Sequence, residues 1–220
     1  MSFTQELRKK ADQIWKANHE HPFVQEIGSG TLDLEAFKYY MKQDYLYLIE
    51  YSRVFALGAV KAPDLDTMAI FSTYLQSTLN HEMSLHRSYA KRLGISTEEL
   101  EQAEPAPTTI SYSSYMISEA QKGSLAHLIA VILPCAWSYS EIGKKLSKIP
   151  GALEHTEYGE WIQMYQDEEF AAIADWLCSK LDQLARSLDE AERTRIETIF
   201  LTSSRFEYLF WEMAYQQSSW

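Results

Sequence analysis

The chain has little of what builds strands, membrane anchors or disulfide scaffolds. Two cysteines in 220 residues cannot frame a stapled fold, and they point to a reducing compartment. Six prolines and eight glycines leave few obligatory turns, as suits a helix-rich chain. No run of about 18 uncharged apolar residues occurs, so no membrane span is expected. The segment Met1 to Lys10 lacks the apolar core of a secretion signal, which makes the cytoplasm the expected location. Basic charge is scarce. Twenty Lys and Arg stand against 31 Asp and Glu, a net charge of −11. That balance offers no footprint for nucleic-acid phosphates and disfavours a polyanionic substrate. There is no Gly-rich phosphate loop, no serine nucleophile elbow and no internal repeat.

Aromatic residues are abundant instead: 14 Tyr, 9 Phe and 6 Trp. This exceeds what a helical core needs. It leads us to expect a pocket that stacks a flat ligand, and exposed aromatic patches that mark a subunit interface. The length suits one large domain with a full core. The expected architecture is all-α, a single-domain multi-helix bundle over residues 1–220, with sites built between facing helices.

Apolar spacing at three and four predicts the helices. The first covers about residues 2–18, with Phe3, Leu7, Ala11, Ile14 and Trp15 on one face. A short helix is expected over His21 to Gly28, with Pro in its first turn and Gly near its end. Asp33 caps a long helix ending near Pro63, and Asp64 or Asp66 starts another that runs to Leu93-Gly94. Residues 98–107 read as an acidic, proline-bearing connection. Further helices are expected over 109–122, 124–148, 153–165 and 167–186. Asp189 caps a last one that runs almost to Trp220.

Three positions stand out chemically. Cys135 lies in Leu133-Pro134-Cys135-Ala136-Trp137-Ser138-Tyr139, inside a helix. Pro134 removes a backbone donor and frees the carbonyl of Ala130. A thiol and the Tyr139 phenol then share one face of a kinked helix, either as core or as a nucleophile in a pocket. Asp44 shares the face of Tyr40, Tyr47 and Tyr51. A carboxylate there is costly unless paired, either in a network with those tyrosines or with a donor-rich ligand. Glu207 faces inward with Ser203 and Trp211, one turn away on either side. It is either one half of a salt bridge or a proton shuttle. His81, Glu82 and His86 lack the spacing of a metal site, so no metal is expected there. Cys178 shows no polar partner at helical spacing and reads as a core residue.

Taken in order, these motifs resemble the thiaminase II (TenA) family, in its thiol-bearing branch. The resemblance runs through His21-Pro22-Phe23, the stretch from Phe37 and Tyr40 to Asp44, Tyr45, Tyr47 and Leu48, and Pro107-Thr108-Thr109 with Tyr112. It continues through Leu133-Pro134-Cys135 with Trp137 and Tyr139, Trp161-Ile162 with Tyr165, and Ser203 with Phe206, Glu207, Phe210 and Trp211. It spans about residues 19–213. It implies a haem-oxygenase-like helical fold, a homotetramer and no cofactor. The implied reaction is hydrolysis of aminomethyl-aminopyrimidine, and of thiamin, to hydroxymethylpyrimidine for thiamin salvage. Cys135 matches the family nucleophile, Asp44 the residue that holds the ring, and Glu207 the acid and base. Tyr47 and Tyr139 would pack on the pyrimidine, with Tyr112 and Tyr165 placing hydroxyls nearby. Competing readings are a metal-dependent oxidase on the same fold and a regulatory protein of the family.

Overall fold

The structure, a computed structural model, describes residues 1–220 and contains no strand. In chain order the helices are α1 (Phe3–Lys10), α2 (Asp12–His19), α3 (Pro22–Ser29), α4 (Leu34–Lys61) and α5 (Leu65–Ser77). A π-helical turn, Thr78–Glu82, joins α5 to α6 (Met83–Arg92). Then come α7 (Thr97–Glu101), α8 (Pro107–Lys122), α9 (Leu125–Leu146), α10 (Gly159–Gln166), α11 (Glu168–Ala185) and α12 (Glu190–Gln216). The all-α expectation holds. The chain forms two compact units. The first comprises Met1–Leu32 with Ile129–Glu212, and the second Asp33–Leu128 with Met213–Trp220.

In the first unit, Trp15 on α2 is completely buried. Its ring stacks near Phe200 and meets Trp137 edge-on, with centroids 6.0 and 5.4 Å away. Its indole N–H donates to Ser204 Oγ at 3.0 Å, which satisfies the one polar atom of a buried tryptophan. The Thr4 backbone N–H donates to Asp182 at 2.8 Å and ties α1 to α11. His21 explains the His-Pro-Phe sequence locally. Its Nδ1 accepts the Phe23 N–H at 3.1 Å as the cap of α3. The remaining ring proton therefore sits on Nε2, which donates to Glu212 at 3.0 Å. Pro22 takes the first helical position, where no donor is needed.

In the second unit, α4 packs on α5, α6 and α8. Gln43 is buried and its amide is shared across three segments. It donates to the Glu104 carbonyl at 3.0 Å and accepts from the Ala106 N–H at 2.9 Å and the Thr109 hydroxyl at 2.7 Å. That seats the start of α8 against α4. Lys61 donates to the carbonyls of Gln121 and Gly123, closing the C-terminal end of α8 where a cation is favoured.

Several expectations need correction. The first predicted helix is two, meeting at Ala11. Ala11 still donates to Leu7 and accepts from Trp15, so hydrogen bonding runs through the bend. Residues 98–107 contain a short helix, α7, closed by a Ser96–Glu99 capping box. The helix expected over 153–165 begins only at Gly159, after a series of turns. The long helix expected to start near 64 is interrupted by the π turn. Most of the aromatic side chains are buried, several others such as Tyr39, Tyr74, Trp176 and Tyr208 are half-buried, and Trp220 is the one that is largely exposed. Finally, α9 is long and apolar enough to cross a membrane, but 83% of its apolar window is buried within the protein.

Candidate active site

The first unit holds Cys135, Tyr139, Tyr165 and Glu207. Cys135 is partly exposed, on the turn of α9 that follows Pro134, and it is not in a disulfide. One turn on, Tyr139 lies at the centre of an aromatic cluster. Its ring centroid is 4.7 Å from Tyr165, 5.0 Å from Trp211 and 5.9 Å from Trp161. Trp211 in turn stacks on Phe23 of α3, 5.4 Å away. The cluster therefore draws rings from α3, α9, α10 and α12. Gly143, one turn beyond Tyr139, makes this approach possible. A Cβ there would stand 2.4 Å from the carbonyl carbon of Tyr165. Only a glycine lets α9 touch the α10 backbone at the residue whose ring packs on Tyr139.

On α12, Ser203, Glu207 and Trp211 are buried along one stripe, as their spacing predicts. The Ser203 hydroxyl donates to the Val131 carbonyl at 2.6 Å. That bond fastens α12 to α9 one turn before Cys135.

The second unit holds Asp44, Tyr47 and Tyr112. All three are buried. Tyr47 stacks on Tyr51, with centroids 5.6 Å apart, and tilts against Tyr112 at 5.1 Å. Its hydroxyl faces the Met116 sulfur at 3.4 Å. Asp44 is not held by the tyrosines of its own helix. Its Oδ2 meets His86 Nε2 at 2.6 Å, while Oδ1 receives no hydrogen bond from the protein. The other ring nitrogen, His86 Nδ1, lies 3.0 Å from the Glu82 carbonyl oxygen.

Electrostatics in this corner follow from burial and proximity. Burial pulls the His86 imidazole down, but the hydrogen bond and charge of Asp44, with Glu82 behind, outweigh it and raise the pKa. Burial pushes the Glu82 carboxyl up to about 7, the Asp44 charge adds to that, and His86 opposes it. Glu82 keeps a partly exposed edge, so its carboxyl is desolvated without being sealed.

Sequence reasoning weighed His86 only as a metal ligand and so missed its partner, Asp44. A signal for it was present. Met83, His86, Tyr89 and Ala90 form a three-and-four stripe, and all four are buried. A buried histidine on that stripe is a natural partner for a buried aspartate. Cys178 also needs correction. Asp175 and Asp182, three residues before and four after, both act on its half-buried thiol. Burial, reinforced by those carboxylates, pushes that thiol up to about 12.

Each unit carries features suited to an all-helical enzyme acting on a small flat molecule: the first a thiol on the helix of an aromatic cluster, the second a buried carboxylate anchored by one oxygen. The comparisons agree with that class. The chain belongs to the TENA/THI-4/PQQC family, whose profile matches residues 8–217. It is 58% identical over 220 residues to a Halalkalibacterium halodurans protein named aminopyrimidine aminohydrolase, covering 100% of this chain and 98% of the relative. Among solved structures it resembles the TenA homologue protein from P. horikoshii OT3, at a TM-score of 0.90 and 32% identity over 99% of this chain and 100% of that one. A Shewanella denitrificans domain with a heme oxygenase-like fold aligns at a TM-score of 0.74 and 16% identity, over 97% of this chain and 92% of that one. That last likeness concerns the fold alone, which is haem-oxygenase-like.

Proposed function

We propose that the protein is an aminopyrimidine aminohydrolase of the thiaminase II type. It hydrolyses aminomethyl-aminopyrimidine, and thiamin, to hydroxymethylpyrimidine for thiamin salvage. The observation that carries this reading is the end-to-end likeness, at 58% identity, to a relative bearing that name.

The residues supply a consistent chemistry. A methylene on an aromatic pyrimidine does not release an amine readily. In this reading the Cys135 thiolate adds to the ring carbon beside the one that carries the methylene, breaking aromaticity. The displaced electron pair then expels the amine, which leaves as ammonia with a proton from Glu207. An exocyclic methylene remains. Water adds to it, Glu207 takes back a proton, and the ring expels the thiolate. The cycle returns both groups to their starting forms. Asp44 accepts hydrogen bonds from the amino group and the protonated ring nitrogen, a charge-assisted contact. Tyr47 and Tyr139 pack on the ring, while Tyr112 and Tyr165 place hydroxyls near it. The chemistry calls for no cofactor or metal. Residues 1–220 act as one catalytic domain, in a cytoplasmic homotetramer.

The test is a product assay on both substrates, with Cys135→Ser as control. Release of hydroxymethylpyrimidine by the wild type, and a loss of about 10³ or more in the variant, is the expected result. No product from either substrate would overturn the function. Full activity in Cys135→Ser would overturn the covalent route alone.

A further inference from the structure

The Asp44–His86 contact carries one step further, and that step rests on the reading of Asp44 as the ring-binding carboxylate. Hydrogen-bond logic fixes the protons. A carbonyl oxygen only accepts, so the 3.0 Å contact of His86 Nδ1 with the Glu82 carbonyl places a proton on Nδ1. The 2.6 Å contact of Nε2 with Asp44 Oδ2 holds a second proton, making the bond charge-assisted. Both side chains are buried, so little water competes with this bond.

The geometry also explains how His86 reaches Asp44. The π turn Thr78–Glu82 inserts one extra residue between α5 and α6, with the Met83 N–H bonded to the Thr78 carbonyl. One extra residue rotates everything after it by about 100° relative to an uninterrupted α-helix. That rotation sets the phase of α6 and turns His86 toward α4. A π turn costs regular hydrogen bonding, and here it delivers one side chain to one carboxylate.

We propose that His86 is a positioning residue for the reaction: it clamps Asp44 through Oδ2 and so turns Oδ1, which the protein leaves unbonded, toward the amino-pyrimidine edge of the substrate. A carboxylate free to rotate about its side-chain bonds would lose orientational freedom on binding. One already fixed by His86 does not. His86 thus acts through Asp44 and has no contact of its own with the substrate.

The experiment is a double-variant cycle read by calorimetry with hydroxymethyl-aminopyrimidine as the probe, alongside kcat and KM on the aminomethyl substrate. Asp44→Asn and His86→Ala are each expected to weaken product binding about tenfold or more. The double variant should bind within about threefold of Asp44→Asn alone, because His86 has no route to the ligand once Asp44 is altered. His86→Gln keeps an amide donor for Oδ2. It should recover most of the affinity lost in His86→Ala, and it serves as the folded variant should His86→Ala be unstable. Multiplicative losses in the double variant would overturn the inference, as would product affinity within twofold of wild type in both His86 variants. If Asp44→Asn itself binds product like the wild type, the ring-binding role of Asp44 falls first, and the inference with it. Weakened Asp44→Asn beside unaffected His86 variants removes His86 alone.

Discussion

The Ser203 hydroxyl donates a 2.6 Å hydrogen bond to the carbonyl of Val131, three residues before Pro134 and four before Cys135. Proline crowds the carbonyls of the preceding turn, so a donor from another helix is well placed there. Ser203→Ala removes that hydroxyl donor, at a cost of about 0.5–1.5 kcal/mol. Because the bond fastens the turn that carries Cys135, kcat is expected to fall as well. Ser204 is the control. Its hydroxyl serves the Phe200 carbonyl and the Trp15 indole, away from that turn. Ser204→Ala should lower the unfolding midpoint similarly and leave kcat within about twofold. Equal kcat losses in both variants would show that Ser203 acts through stability alone.

Gly143 and Tyr165 make the second test. A Cβ at 143 would lie 2.4 to 2.6 Å from backbone atoms of Tyr165 and Gln166, which cannot move aside as a flexible side chain can. Gly143→Ala should push the end of α10 away from α9 and carry the Tyr165 ring with it. Overpacking of this kind costs about 1–3 kcal/mol. The expected signature is a raised KM together with a lowered melting temperature. A variant with wild-type KM would separate the packing of α10 from substrate binding.

The two thiols should differ in reactivity. Cys178 is pushed up to about 12, so at pH 8 about one molecule in 10⁴ carries the thiolate there. Cys135 is partly exposed and is the proposed nucleophile. One equivalent of iodoacetamide at pH 8 should label Cys135, abolish turnover, and be blocked by product. Peptide mass spectrometry locates the label. Predominant labelling of Cys178 would contradict this ordering.

How much of this was legible follows from what each signal measures. Periodicity marked the buried faces, because side chains three and four apart must share one side of a helix. The caps Asp33, Asp64 and Asp189 each accept the backbone N–H three residues on, as their positions before apolar runs predict. The Ser96–Glu99 box was equally readable, but the surrounding acidic and proline residues masked it. Gly159 was not readable. It opens α10 against the Leu153 carbonyl, which would stand 2.3 Å from a Cβ, a contact between residues six apart in a chain of turns. The π turn was hidden for another reason. It is a change of helical phase, and Thr78-Leu79-Asn80-His81-Glu82 carries no glycine or proline to announce it. Without that phase change His86 and Glu82 read as an isolated pair, and the partner of Asp44 stays out of view. The inward stripe of Ser203, Glu207 and Trp211 was correctly placed, whereas the bond from Ser203 to Val131 depends on tertiary packing that no local pattern encodes.

Glu207 should separate two leaving groups. Ammonia leaves only with a proton, whereas the thiazolium of thiamin departs as a neutral thiazole. Glu207→Gln keeps the shape and removes the proton exchange. Turnover should fall by about 10² or more on the aminomethyl substrate and by less on thiamin. Equal losses on the two substrates, measured by product release, would leave Glu207 with water activation as its role.

Stability should fall as pH rises through neutrality, and Glu82 is a principal cause. Its carboxyl titrates at about 7 in the folded chain against 4.5 as the ordinary value. Below 4.5 both states hold the proton and the group is neutral in effect. Between 4.5 and 7 the folded state binds more protons than the unfolded one, so stability declines with pH, and above 7 the full cost is present. The displacement corresponds to about 3 kcal/mol at its upper limit. His86 acts in the same direction. Its pKa is raised, so its stabilisation is complete below 6.5 and is lost as pH climbs through the folded value. Urea midpoints measured from pH 5 to 8 should therefore drop. Glu82→Gln cannot ionise, and it should flatten most of that slope and be the more stable protein at pH 8. The slope that survives in Glu82→Gln belongs largely to His86 and should shrink again in His86→Gln. A Glu82→Gln profile parallel to wild type would mean that the carboxyl is solvated well enough to ionise at its ordinary pH.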